Sequence, residues 1–179
     1  EGNHTLVLID GIEANDPNDG EYDFASLLVD DIERIEVIRG AQSGLYGSGA
    51  LAGVVNIITR SGKGPLTIAV RSEIGSYRTT TNSARVSGGN DRAWLAISGQ
   101  QRRTDGFNIS LQGDERDGSV LSNFSAKAGV KLTDDITTEV MLRNTRNRLD
   151  RDGYGTSSPD KLAAPYDDLS KSMTSVWQT

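Results

Sequence analysis

From residue 66 onwards the chain alternates apolar and polar residues in segments of about ten, and a period of two specifies a β-sheet with two unlike faces. In 66–74, Leu66, Ile68, Val70 and Ile74 lie opposite Thr67, Ala69, Arg71 and Glu73. In 124–132, Phe124, Ala126, Ala128, Val130 and Leu132 oppose Ser125, Lys127, Gly129 and Lys131. In 136–142, Ile136, Thr138, Val140 and Leu142 oppose Thr137, Glu139, Met141 and the following Arg143. Segments 78–87 and 92–102 repeat the pattern more weakly and 169–177 least regularly, so six antiparallel strands are expected.

Their connections alternate in length. Residues 88–91 and 133–135 are tight turns, whereas 103–121 and 149–168 are long and polar; 75–77 is short. Short turns at one end and long loops at the other are the habit of an outer-membrane barrel, and strands of about ten residues suit a tilted crossing of the hydrocarbon layer. A soluble antiparallel sandwich alternates too. Mid-strand charges such as Arg71, Glu73, Lys127 and Lys131 on one face, with few large aromatics on the other, favour a barrel with a watery lumen. Six strands leave it incomplete, because single-chain bacterial barrels begin at about eight.

Residues 1–63 have another texture. Residues 5–9 form an apolar run stopped by the turn signal Asp10-Gly11. Residues 15–20 read as a loop, 24–28 as a single helical turn, and Arg34 to Arg39 as a strand. Glycines 40, 44, 47, 49 and 53 then lead into Val54-Val55-Asn56-Ile57-Ile58-Thr59. A dinucleotide fingerprint would need a helix after its glycines, and a phosphate-binding loop would need Gly-Lys-Ser/Thr; a β-branched run follows instead. A glycine-rich hairpin tip between two strands is the reading that remains.

Composition narrows the chemistry. Among 179 residues there is no cysteine and one histidine, His4, so disulfides, thiolate metal sites, cysteine nucleophiles and multi-histidine centres are excluded within this sequence. No apolar run of about 18 residues is present to form a membrane helix. The net charge of −6 is uneven: residues 1–33 hold ten acidic residues and no Lys or Arg, while the remainder holds 15 acidic and 19 basic. That acidic segment is either a solvated loop surface or a face turned towards a basic wall or a cation. No concentrated basic stripe suggests nucleic acid. The sequence starts without Met or a leader pattern and stops at a strand, and it is expected to be a fragment.

Three ordered motifs, Asp31-Ile32-Glu33-Arg34-Ile35-Glu36-Val37-Ile38-Arg39-Gly40, Ser43-Gly44-Leu45-Tyr46-Gly47-Ser48-Gly49-Ala50 and Gly53-Val54-Val55-Asn56-Ile57-Ile58-Thr59, strongly resemble the plug domain of TonB-dependent outer-membrane receptors. Val7-Leu8-Ile9-Asp10-Gly11 fits the same family, and Ala41 departs from its usual proline. The resemblance implies a mainly β chain. Residues 1–63 would be the C-terminal part of a mixed α/β plug, and 64–179 the first strands of a transmembrane β-barrel. It implies a non-enzymatic receptor in the outer membrane of a Gram-negative bacterium, energised by TonB with ExbB and ExbD through a TonB box missing from this stretch, and in contact with outer-membrane lipid but not nucleic acid.

Within the family the likeness leans towards vitamin B12 receptors, carried by Tyr46-Gly47-Ser48, Gly75-Ser76-Tyr77, Arg103-Thr104-Asp105-Gly106-Phe107 and the acidic loops. Cobalamin is the expected cargo and a ferric siderophore the alternative. By that resemblance Asn15 and Ser48 match substrate-binding positions, although plain turn chemistry explains both; Gly49 stands where an aspartate is common. No cofactor is required. Asp114, Glu115, Asp117, Asp150 and Asp152 could hold Ca²⁺ in the long loops, as hard oxygen ligands do. Glu33, Arg34, Glu36 and Arg39 are expected at the interface between plug and barrel, in pairs that can rearrange because desolvation offsets much of their attraction.

Overall fold

The computed structural model describes residues 4–107, 116–154 and 165–178, with 150–154 and 165–178 described by backbone alone. The chain divides into two units, Glu1–Ser61 and Gly62–Thr179.

The first unit is a four-stranded sheet in the order β2-β1-β4-β3, built from β1 (Thr5–Ile9), β2 (Ile12–Glu13), β3 (Ile32–Arg39) and β4 (Gly53–Thr59). β1 is central and buried from Leu6 to Ile9, which is why it reads as a continuous apolar run without alternation. It pairs with β4 in parallel, Thr5 opposite Gly53 and Ile9 opposite Ile57, while β2 and β3 pair antiparallel with their neighbours. Asp10 and Gly11 join β1 to β2 with φ of 51° and 85°, the positive values that a tight two-residue hairpin demands. Leu6, Leu8, Ala50 and Val54 form the core cluster, with Val7, Ile9 and Ile57 also fully buried.

Two local features differ from expectation. β3 begins at Ile32 rather than Arg34, because a bulge between Ile32 and Arg34 absorbs Glu33 and lets pairing with Thr59 resume. The tip between β3 and β4 is not a plain hairpin; it contains a helical turn, α1 (Ser43–Tyr46), ended at Gly47 with φ of 87°. The expected helical turn at 24–28 is a 3-10 turn over Phe24–Ser26, capped by the Asp23 carboxylate accepting from Ala25 N–H.

The second unit is a six-stranded antiparallel meander: β5 (Thr67–Ile74), β6 (Thr80–Gly89), β7 (Ala93–Thr104), β8 (Ser119–Lys131), β9 (Thr137–Tyr154) and β10 (Pro165–Gln178). β8 and β9 run further into the loop side than the apolar pattern indicates. The ladder continues through Ser119 to Asn123 and through Arg143 to Leu149, where both faces are largely polar and alternation loses its apolar partner.

The two faces of the sheet differ: one is apolar and exposed, and the other buries polar side chains beside Trp94, Ala96, Leu121 and Met141. Ile68, Val70, Leu95, Ile97, Phe124, Val130 and Val140 are exposed on one face. On the other, Ser87, Asn123, Ser125 and Arg143 are buried, Ser98 and Ser125 share a hydrogen bond of 2.7 Å, and Lys127 meets Glu139 at 3.3 Å. An apolar face this continuous suits acyl chains rather than water.

Candidate functional site

The first unit presents two ends with different chemistry. At one end lie the β3–β4 hairpin and the loop after β2. Gly40 N–H donates to Ala52 and Gln42 N–H to Ala50, which pins the hairpin's neck. Gly53 has φ of 154°, and a Cβ there would come within 2.5 Å of the Ile38 carbonyl, so only glycine permits the return into β4. Ser48 sits exposed beyond this neck, beside exposed Leu45 and Tyr46.

Asn15 reaches the same end from the other edge. Its Oδ1 accepts from Val7 N–H at 2.7 Å, and its Nδ2 donates to the Thr5 and Gly20 carbonyls at 3.0 and 2.8 Å. Thr5 is paired with Gly53, which places Asn15 and the hairpin neck at one end of the sheet. Both N–H groups of Asn15 are therefore committed to holding the 15–20 loop against β1, and one Oδ1 lone pair is left for anything else. Ser48 is exposed.

At the opposite end Asp10 clasps β4. Its Oδ1 accepts from Thr59 N–H at 3.0 Å and its Oδ2 from Thr59 Oγ1 at 2.5 Å. The sequence marked Asp10 only as a turn residue; its reach to Thr59 depends on the parallel pairing of β1 with β4.

The four charged residues of β3 lie on an exposed edge strand. Arg34 is already engaged within it, donating to Glu36 at 2.8 Å and Glu33 at 2.9 Å. The hydrogen bond from Arg34 to Glu36 is the main reason the guanidinium is held above its ordinary pKa, with both carboxylates adding to it. Asn56, opposite Glu36, donates to it at 3.5 Å and keeps a buried Oδ1 without a hydrogen-bond partner. Arg39 is exposed at the strand's end.

Of the five residues expected to bind calcium, Asp114 and Glu115 lie outside the described residues, as do the side chains of Asp150 and Asp152. Asp117 is described; its N–H donates to the Phe107 carbonyl at 3.4 Å. Among the described residues no three His, Cys, Asp or Glu side chains gather as a metal site would require.

In the second unit a cluster forms around Trp94 that the alternating pattern did not announce. The indole is buried against Gly129, its neighbour in the ladder, and Lys63 Nζ lies 4.2 Å from the ring centroid. A glycine opposite a tryptophan was the available signal.

Comparison with known proteins bears on these observations. Residues 1–54 match the family described as TonB-dependent Receptor Plug Domain. Over 134 residues the chain is 35% identical to the vitamin B12 transporter BtuB of Photobacterium profundum, covering 73% of this chain and 22% of that protein. The chain thus spans about a fifth of the length of this curated relative. Among solved structures, the siderophore receptor PirA from Acinetobacter baumannii superposes with a TM-score of 0.60 at 26% identity, over 82% of this chain and 24% of the other. The pyoverdine receptor FpvA from Pseudomonas aeruginosa PAO1, solved with pyoverdine bound, gives 0.67 at 19% identity over 81% and 21%, a likeness of fold alone.

Proposed function

Because the chain belongs to the TonB-dependent outer-membrane receptors, we propose that the intact protein binds a scarce, bulky nutrient outside the cell and admits it by displacing its plug, with cobalamin as the cargo. The observation that carries the cargo is the 35% identity to a vitamin B12 transporter across both units. The hairpin end of the plug sheet supports capture without covalent chemistry: Ser48 is exposed, Asn15 keeps one acceptor lone pair, and Gly40 and Gly47, both at positive φ, shape the hairpin tip that carries Ser48.

In this reading Glu33, Arg34, Glu36 and Arg39 face the barrel lumen. The Arg34 pairs are half exposed and exchange partners at little net cost, since Coulomb gain and desolvation nearly cancel in such pairs. TonB, working with ExbB and ExbD, supplies the force through a segment outside this sequence. Calcium in the acidic loops is an independent proposal, tested by titrating the receptor with calcium and chelator.

A ferric siderophore is the second reading, favoured by the 26% identity to a siderophore receptor. Direct binding of cyanocobalamin and of ferric siderophores to the intact receptor separates the two. Tight siderophore binding with no cobalamin binding would overturn the first reading.

A further inference from the structure

We propose that Lys63 and Trp94 form a latch that straps residues 62–66 onto the barrel sheet, so that displacement of the plug stops at Gly62. This stretch is the covalent route between the two units: the second unit begins at Gly62 and β5 at Thr67. It lies outside any strand or helix and is held by contacts along its length. Gly62 is buried, and a Cβ there would collide with the main chain of Leu95. Lys63 Nζ lies over the Trp94 ring and the Gly64 carbonyl accepts from Gly89 N–H at 2.9 Å. Leu66 packs on Gly88, where a Cβ would come within 3.1 Å of the Leu66 Cα. Gly89 pairs with Trp94 and Gly88 with Leu95, so all four contacts fall on two adjacent rungs of the β6–β7 ladder.

Trp94 is placed to serve the latch. Strict alternation puts it on the face that bears Ser98, Ser125, Lys127 and Arg143, where it is the one aromatic among the described side chains of the sheet. Its Nε1 is buried with no hydrogen-bond partner among the described residues, so no polar contact fixes the indole; Gly129 beside it and Lys63 over its face do. Among the described residues Lys63 meets no carboxylate, and its charge rests on the ring.

The latch sets the length of the leash on which a displaced plug is held. Three residue steps lie between Thr59, the end of β4, and Gly62; at about 3.5 Å each they reach about 10 Å. Eight steps lie between Thr59 and Thr67, and with the latch undone they reach about 28 Å. A pull that arrived at Thr67 would load the first rung of the β5–β6 ladder, Thr67 opposite Ser87. A closed latch takes that load first, at Gly62, and the barrel strand is spared.

This inference rests on the plug displacement proposed above and not on which nutrient is carried. The intact receptor, refolded in lipid as wild type, Lys63→Met and Lys63→Arg, is pulled from the N-terminal end of its plug in a force spectrometer. Hydrogen exchange in the peptide carrying the Gly89 amide is followed by mass spectrometry on the same proteins. Lys63→Met keeps a stem without the charge, and Lys63→Arg keeps a cation for the ring. Wild-type extension is expected to pause at Gly62 before a last release of the five steps to Thr67, about 18 Å. Lys63→Met is expected to lose that pause and to exchange Gly89 several-fold faster, while Lys63→Arg behaves as wild type. Absence of the pause in wild type, a comparison that needs no variant, overturns the latch. So does Gly89 exchange unaltered by Lys63→Met in a protein of normal heat-modifiable mobility. A plug that stays folded until the barrel itself unfolds overturns the displacement reading and the latch with it. Cobalamin binding, measured alongside, is expected to be unchanged by both variants, so failure of the cargo reading shows separately.

Discussion

Trp94 lies against Gly129 across the β7–β8 ladder so closely that a Cβ on Gly129 would collide with the indole at Cζ2. Gly129→Ala therefore forces the ring off its site. The expected cost is about 1–3 kcal/mol, as for overpacking in a well-filled interior. Urea unfolding of the refolded intact receptor in lipid, followed by tryptophan fluorescence, checks it; a wild-type midpoint would show that the ring moves freely.

Asp10 ties the turn after β1 to the last residue of β4. Asp10→Ala removes both acceptors from Thr59 and replaces a residue at φ of 51° that tolerates that conformation. A loss of about 1.5–3 kcal/mol is expected, in line with hydrogen bonds to a charged group. Asp10→Asn keeps the backbone preference and one acceptor and should lose less. Limited proteolysis of the plug in the intact receptor ranks the three proteins.

Asn15 and Ser48 separate structure from recognition. Asn15→Ala abandons three hydrogen bonds, worth about 1 kcal/mol each, and should loosen the 15–20 loop whether or not ligand is present. Ser48→Ala touches an exposed hydroxyl and should shift stability by under about 0.5 kcal/mol. It should nevertheless weaken cobalamin binding several-fold. Calorimetric affinities beside protease protection test this, and an unchanged affinity for Ser48→Ala would remove that residue from the ligand site.

Arg34 sets a pH expectation. Its folded pKa is raised, chiefly by Glu36, so while its carboxylate partners stay ionised the stability it contributes is fully present below the unfolded value and is lost as pH rises through the folded one. Any difference in plug protection between wild type and Arg34→Gln should thus stay constant across the neutral range and fade in strong alkali, where the guanidinium itself loses its proton. A difference between them that titrates near neutrality would contradict the assignment.

Val140 and Thr137 lie on opposite faces of β9. Val140→Arg places a guanidinium on the exposed apolar face and should cost about 2–4 kcal/mol if that position is near the bilayer midplane, whereas Thr137→Arg on the polar face should insert normally. Membrane insertion, read as heat-modifiable mobility, distinguishes the two.

The barrel strands were legible because one face of each must be apolar. β5, with Ile68 and Val70 opposite Arg71 and Glu73, shows this pattern along its length. The signal fades where that requirement ends, and the apolar pattern therefore missed the ladder of β8 and β9 beyond Phe124 and Leu142. Local propensity also says little about α1, whose Ser-Gly-Leu-Tyr stretch folds into a turn only because Ala50 and Ala52 close the neck around it. At the candidate site, Asn15-Asp16-Pro17 announces a loop. Nothing local reveals that the Asn15 amide reaches back to Thr5 and Val7, since that contact is made by strand pairing. The Asp10 clasp was hidden for the same reason, its partner Thr59 lying on a strand brought alongside by long-range register.

The parallel alignment of β1 and β4 has a mechanical meaning. Thr5 and Thr59 sit at opposite ends of that ladder, so tension drawn between them loads all five paired positions at once, in shear. β3 and β4 are antiparallel, with Ile32 beside Thr59, and tension between those two residues opens the ladder one rung at a time, like a zipper. The same small sheet is thus stiff along one line of pull and yielding along another, and the direction of force, more than its size, decides which strand leaves first.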